Sequence, residues 1–277
     1  MIKKIILALD GSKPSLNARD YAIKLAKEHK ALLTAIAVLD TPWLTAAQPE
    51  PLGGSAFKIY RDEVVIKEAE GHLHELLAQF KLKAEQEDIK AEAYEYEGFP
   101  VSEIERASYE GDIIILGKTT DFHFSLEQDN DLTVRHIARD NPRPIIIVPE
   151  NFKEGKRVII AYDGSVHASK ALHMFLLLGL AKGNEVHVVT VKPTPEQAQE
   201  TLNQAINLSN LYDVKLKPHV VISDDNPAPH ILELISQINP SLIVMGAFSH
   251  NILSETLFGS CTKTLMNKTE VPLFINH

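Results

Sequence analysis

One cysteine, Cys261, and one tryptophan, Trp43, are spread over 277 residues. A lone thiol closes no bridge within the chain, so a disulfide scaffold is excluded, and such sparse cysteine fits a reducing cytosol. Long apolar runs are missing too. The longest, Met174 to Ala181, falls far short of the ~20 residues that a membrane span needs, so no membrane partner is expected. After Lys3 and Lys4, only Ile5 to Leu9 precede Asp10, which is too short for a secretory core. The expectation is a mature cytoplasmic N-terminus that opens directly with a strand. Basic residues are in deficit: Lys and Arg number 28 against 37 Asp and Glu, a formal charge of −9. No overall basic surface therefore advertises nucleic acid. Hydrophobic residues at 44% and charged residues at 23% are ordinary for a folded protein, which excludes disorder as the main state.

What is present is a repeat. Residues 3–12 read KKIILALDGS and residues 156–165 read KRVIIAYDGS, an offset of 153. IIILGK from Ile113 is answered by LIVMGA from Leu242 at an offset of 129. PIIIVPE from Pro144 is answered by PLFINH from Pro272 at an offset of 128. Three landmarks recur in one order, so the chain is a tandem duplication. The drop in offset gives the first copy 24 extra residues in its middle. At roughly 150 residues per domain the length also predicts two. The polar stretch Pro149 to Gly155 suits a surface link, which divides the chain into domains 1–152 and 153–277.

Each copy alternates strands with helices. The first reads as strands Lys4–Leu9, Leu32–Leu39, Ala91–Tyr96, Ile113–Leu116 and Ile145–Val148. Its first helix opens after Asp10-Gly11-Ser12 with Pro14 in its first turn and carries the apolar stripe Tyr21, Ala22, Leu25 and Ala26. Thr41 to Ala56 reads as a loop. A long amphipathic helix follows, from about Ile59 to Glu87, with Leu73, Leu76, Leu77 and Phe80 inward. The second copy reads as strands Val158–Tyr162, Val186–Val191, Lys217–Ile222, Leu242–Met245 and Leu273–Ile275, with a shorter middle helix from Pro195 to Leu211. This alternation predicts an α/β fold: two tandem Rossmann-like or flavodoxin-like domains, each with a five-stranded parallel sheet flanked by helices. Ligands of such folds sit beyond the carboxyl ends of the strands.

Beyond the fourth strand of the second copy stand Gly246, Ala247, Phe248 and Ser249, then nine residues, then Gly259 and Ser260. Small-residue turns let backbone N–H groups approach an anion closely, and a helix opening near Ser260 presents free N–H groups and the positive end of its dipole. The same spacing also serves a turn that merely ends a strand and caps a helix.

These residues resemble a universal stress protein domain of the UspA family. The family pattern G-x2-G-x9-G-[ST] appears as G-x2-S-x9-G-S, from Gly246 to Ser260. The Asp-Gly-Ser after the first strand, the Gly98-Phe99-Pro100 turn and the closing Pro-apolar strand resemble the family as well, over nearly the whole chain, twice. The resemblance implies an ATP site in the second copy, with Mg²⁺ as companion. Asp163 would contact the ribose or phosphate side, with backbone from Ala161 and Tyr162 nearby. Val191 would pack on the adenine. Met245, Gly246 and Ser249 would flank ribose and phosphates, and Gly259, Ser260 and the Cys261 backbone would hold the phosphate tail. Ser249 departs from the pattern: a Cβ there is strained where φ must be positive, though its hydroxyl can compensate. The resemblance further implies a stress-response sensor or switch. It implies an intramolecular pseudo-dimer in which the closing strands Ile145–Val148 and Leu273–Ile275 pair; a further homodimer is compatible with it.

The first copy lacks the pattern. After Gly117-Lys118-Thr119-Thr120 no Gly-Ser follows, and the matching stretch Glu127 to Asp131 carries three carboxylates, which should repel a triphosphate. A P-loop reading of Gly117-Lys118-Thr119 fails because the required earlier glycine position is Asp112. The alternative reading is a non-nucleotide module, in which the degenerate first copy and its added segment take another ligand, a metal among them, or a protein partner. Asp121, His123 and Asp131 could meet a metal only if their loop folded back; solvated loop residues are the simpler reading. His72 and His74, two apart on a helix, face different sides. Asp10 and Asp163 have no visible base or nucleophile partner, so no catalytic residue is assigned, although slow ATP hydrolysis is compatible with binding.

Overall fold

The computed structural model describes residues 1–46, 55–120, 134, 136–138, 141–247 and 260–276. They form two compact units, one of residues 3–137 and one of residues 1–2 with 138–277. Among the described residues no helix is long and apolar enough to cross a membrane.

In the first unit β1 (Lys4–Leu9) lies between β2 (Leu32–Leu39) and β4 (Ile113–Gly117), and β3 (Ala91–Glu97) flanks β2. All three pairings are parallel. Helix α1 (Lys13–His29) starts where the sequence places it. The Ser12 hydroxyl accepts from the Ser15 amide at 3.4 Å, and Pro14 costs nothing in a first turn that has no intrahelical acceptor for its N–H. It ends at Lys30, whose φ of 54° turns the chain out of the helix. Of the expected stripe, Ala22, Leu25 and Ala26 are buried.

The expected loop from Thr41 is partly a helix, α2 (Thr41–Leu44). Asp40 explains it: its Oδ1 accepts from the Trp43 amide at 3.0 Å, and Pro42 suits the first turn. Helix α3 (Ser55–Gln86) begins a turn earlier than the apolar periodicity suggests; Leu77, Phe80 and Ala84 are buried, whereas Leu73 and Leu76 of the expected inner face are only partly so. Helix α4 (Pro100–Ser108) opens on the proline of the Gly98-Phe99-Pro100 turn.

In the second unit the strand order is β5-β10-β9-β6-β7-β8, from β5 (Ile145–Val148), β6 (Arg157–Ala161), β7 (Glu185–Lys192), β8 (Leu216–Ile222), β9 (Leu242–Gly246) and β10 (Leu273–Asn276). The pairings are parallel except that β5 meets β10 antiparallel, with Ile147 opposite Leu273 and Ile146 opposite Phe274. This is the pairing of closing strands that the resemblance implies. It gives β10 a neighbour on its outer side, where a bare edge would invite association. Both strands are buried almost throughout, and Phe274 meets Phe175 edge-on at 6.2 Å.

Helices α5 (Val166–Leu177) and α6 (Pro195–Asn210) connect strands that step one way across this sheet, and α7 (Pro227–Ile238) steps back. Right-handed crossovers therefore put α5 and α6 on one face and α7 on the other, where α7 packs against α8 (Ser260–Lys268).

Candidate functional site

At the carboxyl ends of β6, β7 and β9 the second unit opens into a cleft of about 590 Å³, counted to its mouth. One wall is apolar: Ala161 of β6, Val189 and Val191 of β7, Pro227 and Ile231 of α7, and Met245 of β9. Strand alternation explains it, because Val189 and Val191 lie two apart and share a face. Pro227 and Ile231 are four apart and share one side of a helix. The polar part comes from the turn after β6, with Asp163 and Ser165, and from the first turn of α8, with Cys261 and Thr262.

The turn after β6 is held from several sides. The Tyr162 amide donates to the Val189 carbonyl and its carbonyl accepts from the Thr190 hydroxyl, each at 3.0 Å. Gly164 has a φ of 76°, a conformation that favours glycine. The Asp163 Oδ1 accepts from the Ser165 amide at 2.9 Å, and the Ser165 hydroxyl accepts from the Ala168 amide at 3.1 Å. The same side chains thus shape the turn and cap α5. The end of β9 is fastened to α8 by the Thr262 hydroxyl, which donates to the Gly246 carbonyl at 3.4 Å. The first turn of α8 holds no acidic residue, so no carboxylate there occupies the positive end of its dipole.

Seven of the sequence-predicted residues meet in this cleft: Ala161, Tyr162, Asp163, Val191, Met245, Gly246 and Cys261. Ser260 opens α8 and is exposed, outside the lining. Ser249 and Gly259 lie outside the described residues, as do Asp121, His123 and the Glu127–Asp131 stretch of the first copy. Sequence reasoning missed Ser165, Ala168, Val189, Pro227, Ile231 and Thr262. Period-two alternation from Val191 could have found Val189, and the Asp-Gly-Ser turn could have found Ser165. Pro227 and Ile231 follow only from which face α7 covers.

Burial pushes the Cys261 thiol up to about 11, with the nearby Asp163 carboxylate adding to it. The thiol is therefore held in its protonated form near neutral pH, which disfavours attack on an electrophile there. Asp163 is the one carboxylate of the described lining, and no group of three or more His, Cys, Asp or Glu able to hold a metal occurs among the described residues.

The equivalent positions of the first copy differ. Ala8, Val38, Pro100 and Gly117 are all buried. Ala161, Val191, Pro227 and Gly246 remain partly open. Aspartate caps the same kind of turn in both: the Asp10 Oδ1 accepts from the Ser12 amide at 2.9 Å. The fold repeats, but the cleft described here belongs to the second copy.

The fold has many solved relatives. A universal stress protein from Archaeoglobus fulgidus is similar over 98% of this chain and 95% of its own, with a TM-score of 0.74 and 22% identity. A Pseudomonas aeruginosa protein described as a putative universal stress protein is similar over 99% of this chain and 92% of its own, with a TM-score of 0.60 and 14% identity. Among curated sequences, a universal stress protein of Synechocystis sp. is 24% identical over 283 aligned positions, covering 98% of this chain and 99% of that one. The family model described as "Universal stress protein family" matches residues 1–122 and again residues 155–277. With both copies matched, and the repeated turn, parallel sheet and closing strand found in the structure, the chain belongs to the universal stress protein family.

Proposed function

We propose that the second copy binds an adenine nucleotide, ATP with Mg²⁺, and that the chain works as a cytoplasmic stress-response sensor or switch. The observation that carries this reading is the convergence of an apolar wall, an Asp-bearing turn and the start of α8 in one cleft. The apolar wall of Val189, Val191, Pro227 and Ile231 suits a flat base. The N-terminal end of α8 suits phosphate oxygens. Mg²⁺ commonly binds through one or two carboxylates plus substrate phosphates, so the single Asp163 fits a metal that arrives with the nucleotide rather than one resident in the protein. No general base is assigned to the cleft, and the reading is of binding rather than turnover.

Titration calorimetry with ATP and Mg²⁺ tests it. One site per chain is expected in the natural protein. Gly259→Asp, which adds a carboxylate to the Gly-Ser pair, is expected to lose it through repulsion of the triphosphate. Absence of heat at concentrations that reveal affinities of about tens of micromolar sinks the reading.

A second reading, in which the first copy serves a non-nucleotide ligand or a protein partner, has one observation in its favour. Phe57, Ile59 and Tyr60, near the start of α3, are exposed by 72%, 62% and 66%. Large apolar side chains grouped so openly favour an apolar contact. Fluorescence of a dye that reports apolar surface should fall in Phe57→Ser/Tyr60→Ser; unchanged fluorescence removes the support.

A further inference from the structure

Outside the cleft, β7 and β8 carry a chain of four side chains that the nucleotide reading does not use. The Lys217 ammonium lies 2.8 Å from Glu185 Oε2. Glu185 Oε1 lies 2.7 Å from His187 Nε2, and His187 Nδ1 lies 2.8 Å from His219 Nε2. The imidazole centroids are 5.1 Å apart and their planes differ by 27°. With the facing nitrogens at 2.8 Å, that separation sets the rings in line, each ring nitrogen aimed at the other. His187 is buried, at 7% exposure. His219 is half-buried on β8, the outermost strand of its sheet.

The hydrogens follow from the partners. A carboxylate only accepts, so His187 Nε2 carries a hydrogen and donates it to Glu185. In its neutral form His187 then has a bare Nδ1, which accepts from His219 Nε2–H. One added proton is accommodated: one ring becomes an imidazolium, one hydrogen still lies between the facing nitrogens, and Glu185 sits opposite the charge. A second proton is not. Both facing nitrogens would then carry hydrogens, with no lone pair between them and two like charges in contact. Metal ligation suits this arrangement poorly, because ligand nitrogens converge on a tetrahedral ion at an angle rather than facing each other.

The surrounding charges come from every element on this side. β6 brings Arg157, which pairs with Glu185 in the sheet register, and Ile159 beside His187. β8 brings Lys217 beside His187. Helix α7 lies over this face and brings His230 and Glu233; Glu233 Oε1 accepts from Gln237 at 3.4 Å. Helix α6 packs on the opposite face. The carboxylate in contact with the pair is Glu185, which the Lys217 ammonium and then His187 hold below its usual range.

We propose that His187 and His219 form an acid-sensitive latch between β7 and the edge strand β8. It is closed while the two rings hold one shared hydrogen between them and opens when solvent supplies the proton that charges both. Burial, and then the neighbouring His187, push His219 below its ordinary 6.5, so the folded chain resists that second proton. The sign follows directly. Below pH 6.5 the unfolded chain takes up a proton that the latched chain refuses, so the latch's stabilisation is present above that value and is lost as pH falls through the folded-state value. β8 leads through Asn226 into α7, whose Pro227 and Ile231 form a wall of the cleft, so a loosened β8 reaches that wall.

Hydrogen exchange on the full chain tests the latch. Between pH 7.5 and pH 5.5, after correction for intrinsic rates, amides of Leu216–Ile222 should lose about fivefold in protection, the loss of one ordinary hydrogen bond. Strand β2, which carries no titratable side chain, serves as internal reference and should not change. In His219→Gln the side-chain amide can still donate to His187 but cannot charge, so the acid response of β8 should vanish. Equal acid responses in natural protein and His219→Gln overturn the proposal, as does a loss shared by β2. Should His219→Gln fail to fold, imidazole resonances of the natural protein decide. Uptake in two separated steps supports the latch, and two independent titrations at ordinary values overturn it.

Discussion

A Cβ placed on Gly246 would lie 2.6 Å from the carbonyl carbon of His167 and 2.7 Å from the Ala168 amide nitrogen. Gly117, its counterpart in the first copy, stands in the same relation to α1, with the Ser15 nitrogen at 2.6 Å and the Pro14 carbonyl carbon at 2.7 Å. The first copy lacks the Gly-Ser pair that completes the nucleotide pattern, yet it keeps this glycine. The glycine is therefore required by the close approach of a strand end to a helix start, whatever else it does for a ligand. Neither contact is with a flexible side-chain tip, so the clash cannot be relieved cheaply. Gly117→Ala and Gly246→Ala should both destabilise, by roughly 1–3 kcal/mol each, as over-packing does. Urea unfolding measures it; a neutral Gly117→Ala contradicts the architectural role.

The thiol of Cys261 gives a pH prediction with a definite sign. Its folded-state value is raised from an ordinary 9.0 to about 11, first by burial and then by Asp163. The folded chain keeps the proton that the unfolded chain gives up, so the contribution is complete below pH 9 and is lost as pH rises through 11. Its ceiling is on the order of 2–3 kcal/mol, at about 1.4 kcal/mol per unit. Cys261→Ser should flatten this alkaline loss. In the natural protein, alkylation by iodoacetamide at pH 7.5 should run about 100-fold slower than for a free thiol, in proportion to the missing thiolate. Rapid alkylation at that pH contradicts the burial argument.

The fold was legible because its signals are local and repeated. Apolar runs such as Ile113–Leu116 are too short for helices and are bounded by turn residues. Asp-Gly-Ser marks the same strand-to-helix turn twice. Where the reading missed, the cause is also local. Thr41–Leu44 is helical because the Asp40 carboxylate caps the Trp43 amide, a single hydrogen bond with no periodicity to announce it. The site was legible in part, since Asp163, Val191 and Met245 stand at strand ends, where such folds bind. Pro227 and Ile231 were not, because the handedness of the crossover, rather than any motif, brings α7 over the cleft. The His187–His219 pair was invisible for the same reason: they are 32 residues apart in sequence and meet only through the register of β7 on β8.

The antiparallel pairing of β5 with β10 places Phe274 opposite Ile146 and edge-on to Phe175, with all three buried. Phe274→Ala removes a fully enclosed ring and leaves a cavity, at a cost of about 3–5 kcal/mol. Phe274→Leu keeps most of the volume and should cost well under half of that. Paired denaturation curves check the ratio; equal losses would mean that the aromatic contact, rather than filled space, holds the closing strands.

Val191 separates the ligand question from the stability question. It lies on β7 opposite Val221, partly open to the cleft beside Val189. Its side chain lines the cleft and is only partly buried, so Val191→Phe adds its volume on the cleft side. The variant should fold with less than about 1.5 kcal/mol of loss, as tolerated apolar swaps do. The ring would take the space between Ile231 and Met245 that a nucleotide base needs, and ATP affinity should fall by tenfold or more, about 1.4 kcal/mol or greater. Val220, the neighbour of Val221 on the edge strand, is exposed by 46% and points to the opposite face. Val220→Phe therefore serves as the control, with affinity unchanged. Calorimetry on the three proteins reads the outcome. Equal affinities throughout would place any nucleotide elsewhere on the chain, whereas loss in Val191→Phe alone locates the base against β7.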